Sequence, residues 1–175
     1  EANLDYQRAC FERAAASGTT PNLHGIISVN DRIPYGALIV EEIVGRAPSL
    51  PGDMAALADS LAALHILPLP AEGSRAPLTM HADAVFGTLR FIETQAVCLP
   101  EAGLAVEAAR QIDDELDWAR RFAAESHGRN QPITLVGTDT HPGNFLVEPS
   151  GRAVFVDLEK SLYGSPAVDL AHASV

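Results

Sequence analysis

Apolar positions recur along the chain first at helical, then at strand, spacing, and this rhythm predicts most of its elements. Residues 4–17 mix Leu4, Ala9, Phe11 and Ala15 with Asp5, Gln7, Arg8, Glu12 and Arg13, a helical pattern ended by Gly18 and Pro21. Residues 24–29 and 36–44 are rich in β-branched side chains, flank the polar Asn30-Asp31-Arg32, and read as a hairpin. Pro48 and Pro51 then mark an irregular linker, the best internal boundary. Asp53 stands where a helix cap belongs, and Met54, Leu57, Leu61 and Leu64 share one helical face behind it. After a loop with Pro68, Pro70 and Pro77, a helix over 82–95 should bury Val85, Phe86, Leu89 and Ile92. A further helix over 101–126 aligns Leu104, Ala108, Ile112, Leu116, Ala119 and Phe122 on one stripe. The acidic Asp113, Asp114, Glu115 and Asp117 lie mostly off that stripe as a solvated face, and Trp118 reads as core. Beyond Gly128 the pattern changes to short strands at 133–136, 144–147 and 153–157, the last two joined by Glu148-Pro149-Ser150-Gly151-Arg152, and a helix begins at 166–175. Helix, small sheet, linker, helical body and β-hairpin cluster make an α+β arrangement.

Composition narrows the classes. A chain of 175 residues, 47% hydrophobic and 20% charged, has the material of an ordinary globular domain, which buries about 70% of the surface its unfolded form exposes. Twelve Lys and Arg against 23 Asp and Glu, a net charge of −11, leave no basic stripe for a nucleic-acid backbone. The longest apolar stretch, 54–69, is broken by Asp59, His65 and Pro68, so no membrane span is expected. With only Cys10 and Cys98 and no leader pattern, reduced thiols and a cytoplasmic setting are the expectation. The chain begins at Glu1 inside one helical pattern and stops at Val175 inside another, as a fragment does.

Polar residues concentrate in Gly137-Thr138-Asp139-Thr140-His141-Pro142-Gly143-Asn144, a loop held at both ends by strands. Asp139 and Asn144 should face each other across it. Antiparallel pairing of the following hairpin brings Asn144 and Asp157 to the same end of the ribbon, with Glu159 near. Two carboxylates and an amide oxygen suit Mg²⁺, a hard cation commonly shared between carboxylates and substrate phosphates. Phosphoryl transfer also wants a separate Asp to orient the attacking hydroxyl, the part Asp139 would take, with Asn144 and Asp157 on metal. Glu159 either meets a second Mg²⁺ or pairs with Lys160; His141 positions its own loop; His65 is a partly buried helix-end residue. Asp169 reads locally as a first-turn acid on the helix dipole.

Three blocks in order, Asp139-Thr140-His141-Pro142-Gly143-Asn144-Phe145-Leu146-Val147, Val156-Asp157-Leu158-Glu159 and Gly164-Ser165-Pro166-Ala167-Val168-Asp169-Leu170-Ala171, resemble the signature of the aminoglycoside phosphotransferase and choline kinase family, relatives of protein kinases. Leu61-Ala62-Ala63-Leu64-His65 resembles the family's Leu-His helix end. The resemblance implies a protein-kinase-like fold, with 1–45 the end of the small lobe and hinge and 46–175 a helical large lobe. It implies ATP as donor, adenine bound by the backbone around Glu41 and Ile43, and Val40 as gatekeeper; the side chains of Glu41 and Glu42 then face solvent. The phosphate-covering loop and the ATP-contacting Lys would precede Glu1, leaving Glu1 or Glu12 as partner of that Lys and the 175 residues alone catalytically incomplete. By the same resemblance Asp169 holds the catalytic-loop backbone. The chain departs from the family where Gly137-Thr138 replaces His-Gly and Leu158 replaces an aromatic residue.

The leading expectation is therefore Mg²⁺- and ATP-dependent transfer of the γ-phosphoryl group to a hydroxyl on a small molecule, the acidic balance being compatible with a cationic aminosugar or amino alcohol. A nucleotide-binding module with weak or no catalysis is the alternative. A metal-dependent phosphoesterase is a third reading, but it calls for His-rich ligand loops that do not occur.

Overall fold

The computed structural model describes residues 2–127 and 132–173 and divides into two compact units, one formed by 1–80 with 132–175 and the other by 81–131. Glu1, Gly128 and the last two residues of the expected 166–175 helix lie outside the described residues.

The first unit opens with α1 (Ala2–Ala14), extended by a 3₁₀ turn, Ala15–Ser17, that Gly18 closes at φ +67°. Its inner face, Ala9, Cys10, Phe11 and Ala14, is buried. Strands β1 (Leu23–Ile27) and β2 (Ala37–Val40) pair antiparallel, as the pattern predicts. The second run is shorter than expected, because beyond Val40 the chain leaves the sheet and Arg46 forms an antiparallel bridge with Val147. Gly45 permits this approach, since a Cβ there would lie 3.0 Å from the Val147 carbonyl.

Helix α2 (Met54–His65) buries Leu57, Ser60, Leu61 and Leu64. Met54 corrects the expected stripe: it sits at the helix start, before the buried face begins, and is 43% exposed. Asp53 also does not cap α2 with its side chain; its carboxylate takes two hydrogen bonds from Arg46 and one from the Ser49 N–H, a bidentate pairing that engages both of its oxygens.

The β-rich end consists of two antiparallel pairs. Strand β3 (Thr134–Val136) pairs with β6 (Leu162–Gly164), and β4 (Phe145–Val147) with β5 (Ala153–Phe155) in the register Phe145 to Phe155. The core joins Leu57, Leu61 and Leu64 to Leu135, Phe145, Val147, Phe155, Leu158 and Tyr163. Helix α5 (Ala167–Ala173) follows β6, with Ser165 Oγ accepting from the Ala167 N–H. The β3–β6 pairing is absent from the sequence reading: β6 is three residues long, too short for a period to register.

The second unit contains α3 (Ala84–Ala96) and α4 (Val106–Ser126), preceded by a 3₁₀ turn Leu99–Glu101. Asp83 caps α3 by accepting from the Phe86 N–H. Helix α4 starts later than the pattern implies, and its buried positions narrow to Leu116, Ala123 and Ser126. Phe86, Ile92, Leu104, Phe122 and Trp118 are each at least 40% exposed, against the sequence reading. Trp118 and Phe122, four apart on α4, stack on each other at 5.4 Å instead of entering a core. The acidic face is solvated as expected, with Arg110 bonded to Glu107 and Asp114, and Arg120 to Asp117 and Glu93. Among the described residues no helix is long and apolar enough to cross a membrane.

Candidate functional site

The loop from Gly137 to Asn144 connects β3 to β4 and is built on a single buried carboxylate. Asp169, fully buried on α5, accepts from the Gly137 N–H at 2.9 Å and the Thr138 N–H at 2.8 Å. His65, at the end of α2, brings Nε2 to 2.7 Å from the same carboxylate. An ionised carboxylate only accepts, so the imidazole donates. The buried Thr140 hydroxyl donates to the Asp169 carbonyl at 2.7 Å. Three donors on the carboxylate and one on the carbonyl tie the loop to α2 and α5.

The local reading of Asp169 as a first-turn acid understates its surroundings, whereas the resemblance, by which Asp169 holds the loop backbone, agrees with its bonds to the Gly137 and Thr138 amides; the reading of His65 as a helix-end residue misses its partner. The two lie 104 residues apart, so no local spacing reveals the contact.

On this frame the loop turns sharply. Thr138 has φ +67°, a region where a β-branched residue is uncommon. Gly137 has no room for a side chain: a Cβ would lie 2.6 Å from the Phe155 ring. Asp139 is half-buried and its Oδ2 accepts from Lys160 Nζ at 2.9 Å, while Oδ1 is 3.7 Å from His141 Nε2. The Lys160 hydrogen bond, opposed by burial, holds the Asp139 carboxyl below its ordinary range; the same contact raises Lys160. Lys160 thus makes its hydrogen bond with Asp139, while the pairing with Glu159 is one of the two sequence readings of that acid.

His141 behaves as expected, its Nδ1 accepting from the Gly143 N–H at 3.1 Å within the Pro142–Asn144 turn. Asn144 Nδ2 donates to the Asp139 carbonyl at 2.7 Å, closing the loop between the two residues expected to face one another. The Val156 N–H donates to the Asn144 carbonyl at 2.9 Å, and the Phe145 to Phe155 register sets Asn144 and Asp157 at one end of the β4–β5 ribbon. Asp157 Oδ1 is buried with no hydrogen-bond partner among the described residues. Glu159 is raised above its ordinary value by hydrogen bonding to Asp157, then by burial and the like charge. An orphaned carboxylate oxygen, a second carboxylate and a nearby amide are a donor set that fits a hard cation. Among the described residues no three His, Cys, Asp or Glu gather as a metal-binding group.

Elsewhere the expected site residues stand as follows. Glu41 is half-buried and its carboxylate lies at an exposed position, where it accepts from the Asn22 N–H and Nδ2, while its N–H donates to the Asn22 carbonyl at 2.8 Å. Glu42 is exposed, and Ile43 is half-buried two residues beyond Glu41. Glu12 is exposed, 3.9 Å from Arg8, and opens on a cavity of about 180 Å³ with Leu67, Pro68 and Tyr163, which none of the loop residues line. Thr138, Thr140 and Lys160 are the residues the sequence reading did not assign to the site. The one signal for them was Thr138, standing where the resembling family carries Gly.

Two small antiparallel ribbons and a helical frame around a polar loop define a kinase-like fold, and solved structures of that class bear this out. A Streptomyces rimosus aminoglycoside phosphotransferase in complex with ADP and streptomycin matches with TM-score 0.62 at 18% identity, over 97% of this chain and 65% of that one. A thermostable mutant of another aminoglycoside phosphotransferase, in ternary complex with ADP and hygromycin B, matches with TM-score 0.72 at 14% identity, over 97% and 60%. A choline/ethanolamine kinase family protein from Mesorhizobium loti matches with TM-score 0.63 at 20% identity, over 97% and 53%. The chain thus spans between about half and two thirds of the length of these structures. No curated protein sequence matches it. The profile of the phosphotransferase enzyme family matches residues 2–175, and the chain belongs to that family.

Proposed function

We propose that the protein transfers the γ-phosphoryl group of ATP, with Mg²⁺, to a hydroxyl of a small aminoglycoside- or choline-like molecule. The observation that carries the reading is the half-buried Asp139, tied through its own carbonyl to Asn144, at the mouth of a ribbon whose other strand delivers Asp157 with an unpaired buried oxygen. Asp139 orients the attacking hydroxyl and takes its proton. Asn144, Asp157 and Glu159 are the residues that would hold Mg²⁺, which neutralises charge developing on the phosphates. The backbone around Glu41 and Ile43 lies where adenine binds; because the Glu41 N–H is engaged by Asn22, its carbonyl and Ile43 remain for the base. Residues 1–45 are the end of the nucleotide lobe and hinge, 46–175 the helical lobe. Solved relatives holding ADP together with streptomycin or hygromycin B support a polar, hydroxyl-bearing acceptor, and the net charge of −11 favours a cationic one.

A second reading, a nucleotide-binding module without turnover, draws on the Lys160 ammonium occupying one oxygen of Asp139. The test uses the protein with any residues that flank these 175, Mg²⁺, ATP and a panel of alcohols and aminosugars, with Asp139→Ala and Asp157→Ala alongside. Acceptor-dependent ADP release by wild type and its loss in both variants are expected. Nucleotide binding without turnover would favour the second reading, and equal turnover by all three proteins would refute the site.

A further inference from the structure

Lys160 is bonded to two neighbouring residues of the loop, Thr138 and Asp139. The Thr138 hydroxyl donates to the Lys160 carbonyl at 3.1 Å, and the Lys160 ammonium donates to Asp139 Oδ2 at 2.9 Å. With the peptide between Thr138 and Asp139, these bonds close a ring between the 137–144 loop and the segment that follows β5. We propose that this ring is a clasp: Thr138 and Lys160 are positioning residues that preset the loop and leave Asp139 Oδ1 as the oxygen offered to the acceptor hydroxyl.

Three observations carry it. First, a threonine at φ +67° is held against its own conformational preference. Glycine would adopt that angle freely but has no hydroxyl to reach Lys160, so the side chain serves the contact. Second, the two oxygens of Asp139 are unlike. Oδ2 is fixed by Lys160, whereas Oδ1 has, among the described residues, only His141 Nε2 at 3.7 Å, beyond hydrogen-bond distance. Third, the charges around the clasp converge on it. Asp139 is faced by Lys160, by His141 from its own loop and by His172 from α5, and Lys160 by Asp139, Asp157 and Glu159. The ammonium is therefore drawn toward the carboxylates on both sides and holds the loop and the segment carrying Asp157 in one arrangement.

This inference rests on the phosphotransfer reading for the role of Asp139, but the clasp itself has a readout that does not. Thr138→Val removes the hydroxyl and keeps the shape; Lys160→Met removes the charge and keeps the length. Amide hydrogen exchange at residues 137–141 is expected to quicken about tenfold in each single variant and no further in the double, because one ring is opened in all three. Unchanged exchange in both singles, or additive effects in the double, would overturn the clasp.

With an acceptor that wild type turns over, each single variant is expected to lower kcat by about 10- to 100-fold, as misplacement of a catalytic group does. KM for ATP should stay within about twofold, and Thr138→Ser and Lys160→Arg should recover most of the rate. Equal losses in kcat and ATP affinity, or no recovery by either conservative variant, would contradict a positioning role. If wild type phosphorylates no acceptor, the phosphotransfer reading falls, and the exchange measurement still decides whether the clasp exists.

Discussion

The 137–144 loop and the α3–α4 pair are both rich in polar residues, and they place their charges in opposite ways. On α4, Arg110 reaches Glu107 and Asp114 within one turn, and its side chain stays 59% exposed. In the loop, the carboxylate of Asp169 is fully buried and gathers the Gly137 and Thr138 amides and His65 from up to 104 residues away. Surface pairs at helical spacing contribute little, because water competes for both partners. A buried carboxylate with three donors has no such substitute, and losing it leaves each donor unsatisfied. A cluster of charge therefore means little until its partners are known: the denser acidic run lies on the solvated helix, and the buried, multiply bonded carboxylate lies under the sparser loop.

The largest way to break the contrast is Asp169→Ala. It should lower stability by about 3–5 kcal/mol, read from urea unfolding, whereas Glu107→Ala on α4 should leave the midpoint unchanged. Matching midpoints for the two variants would show that burial does not distinguish them.

A smaller effect comes from Gly137→Ala. The added Cβ would meet the Phe155 ring at 2.6 Å, an overpacking cost of about 1–3 kcal/mol, measurable in the same unfolding experiment. A neutral result would mean that Phe155 shifts freely and that packing does not exclude the family's histidine from this position.

How much of this was legible in the sequence follows the same division. Leu57, Leu61 and Leu64 were readable because a helical period needs only local spacing. Asn144 and Asp157 were readable as neighbours because a hairpin fixes its own register. Trp118 and Phe122 were not, since periodicity gives the apolar side of a helix without stating what covers it. The frame beneath the site was hidden for a related reason. His65 on Asp169, Thr138 on Lys160 and Lys160 on Asp139 are contacts between distant or irregular segments, with no repeat to announce them. Asp139 was thus easier to name than Thr138 and Lys160, whereas Asp169 was legible only through the family resemblance, which has it hold the loop backbone.

The smallest effect concerns the Arg46–Asp53 clamp. The Arg46 hydrogen bond, then the Ser49 N–H, lowers the Asp53 carboxyl from 3.8 to about 2. A carboxyl depressed on folding stabilises the fold above its ordinary value, and that stability is lost as pH falls through its folded value. The stability difference between wild type and Arg46→Met should therefore be complete above pH 3.8 and vanish as pH falls through about 2. A difference that persists below that window would mean the clamp acts through packing, not charge.

The most direct test of the account is the single-turnover rate of γ-phosphoryl transfer to an accepted substrate, measured for wild type and Asp139→Asn with ATP and Mg²⁺ saturating. The amide should slow transfer by about 10²- to 10⁴-fold while ADP binding stays the same. Equal rates in the two proteins would contradict the assignment of Asp139, and with it the proposed site.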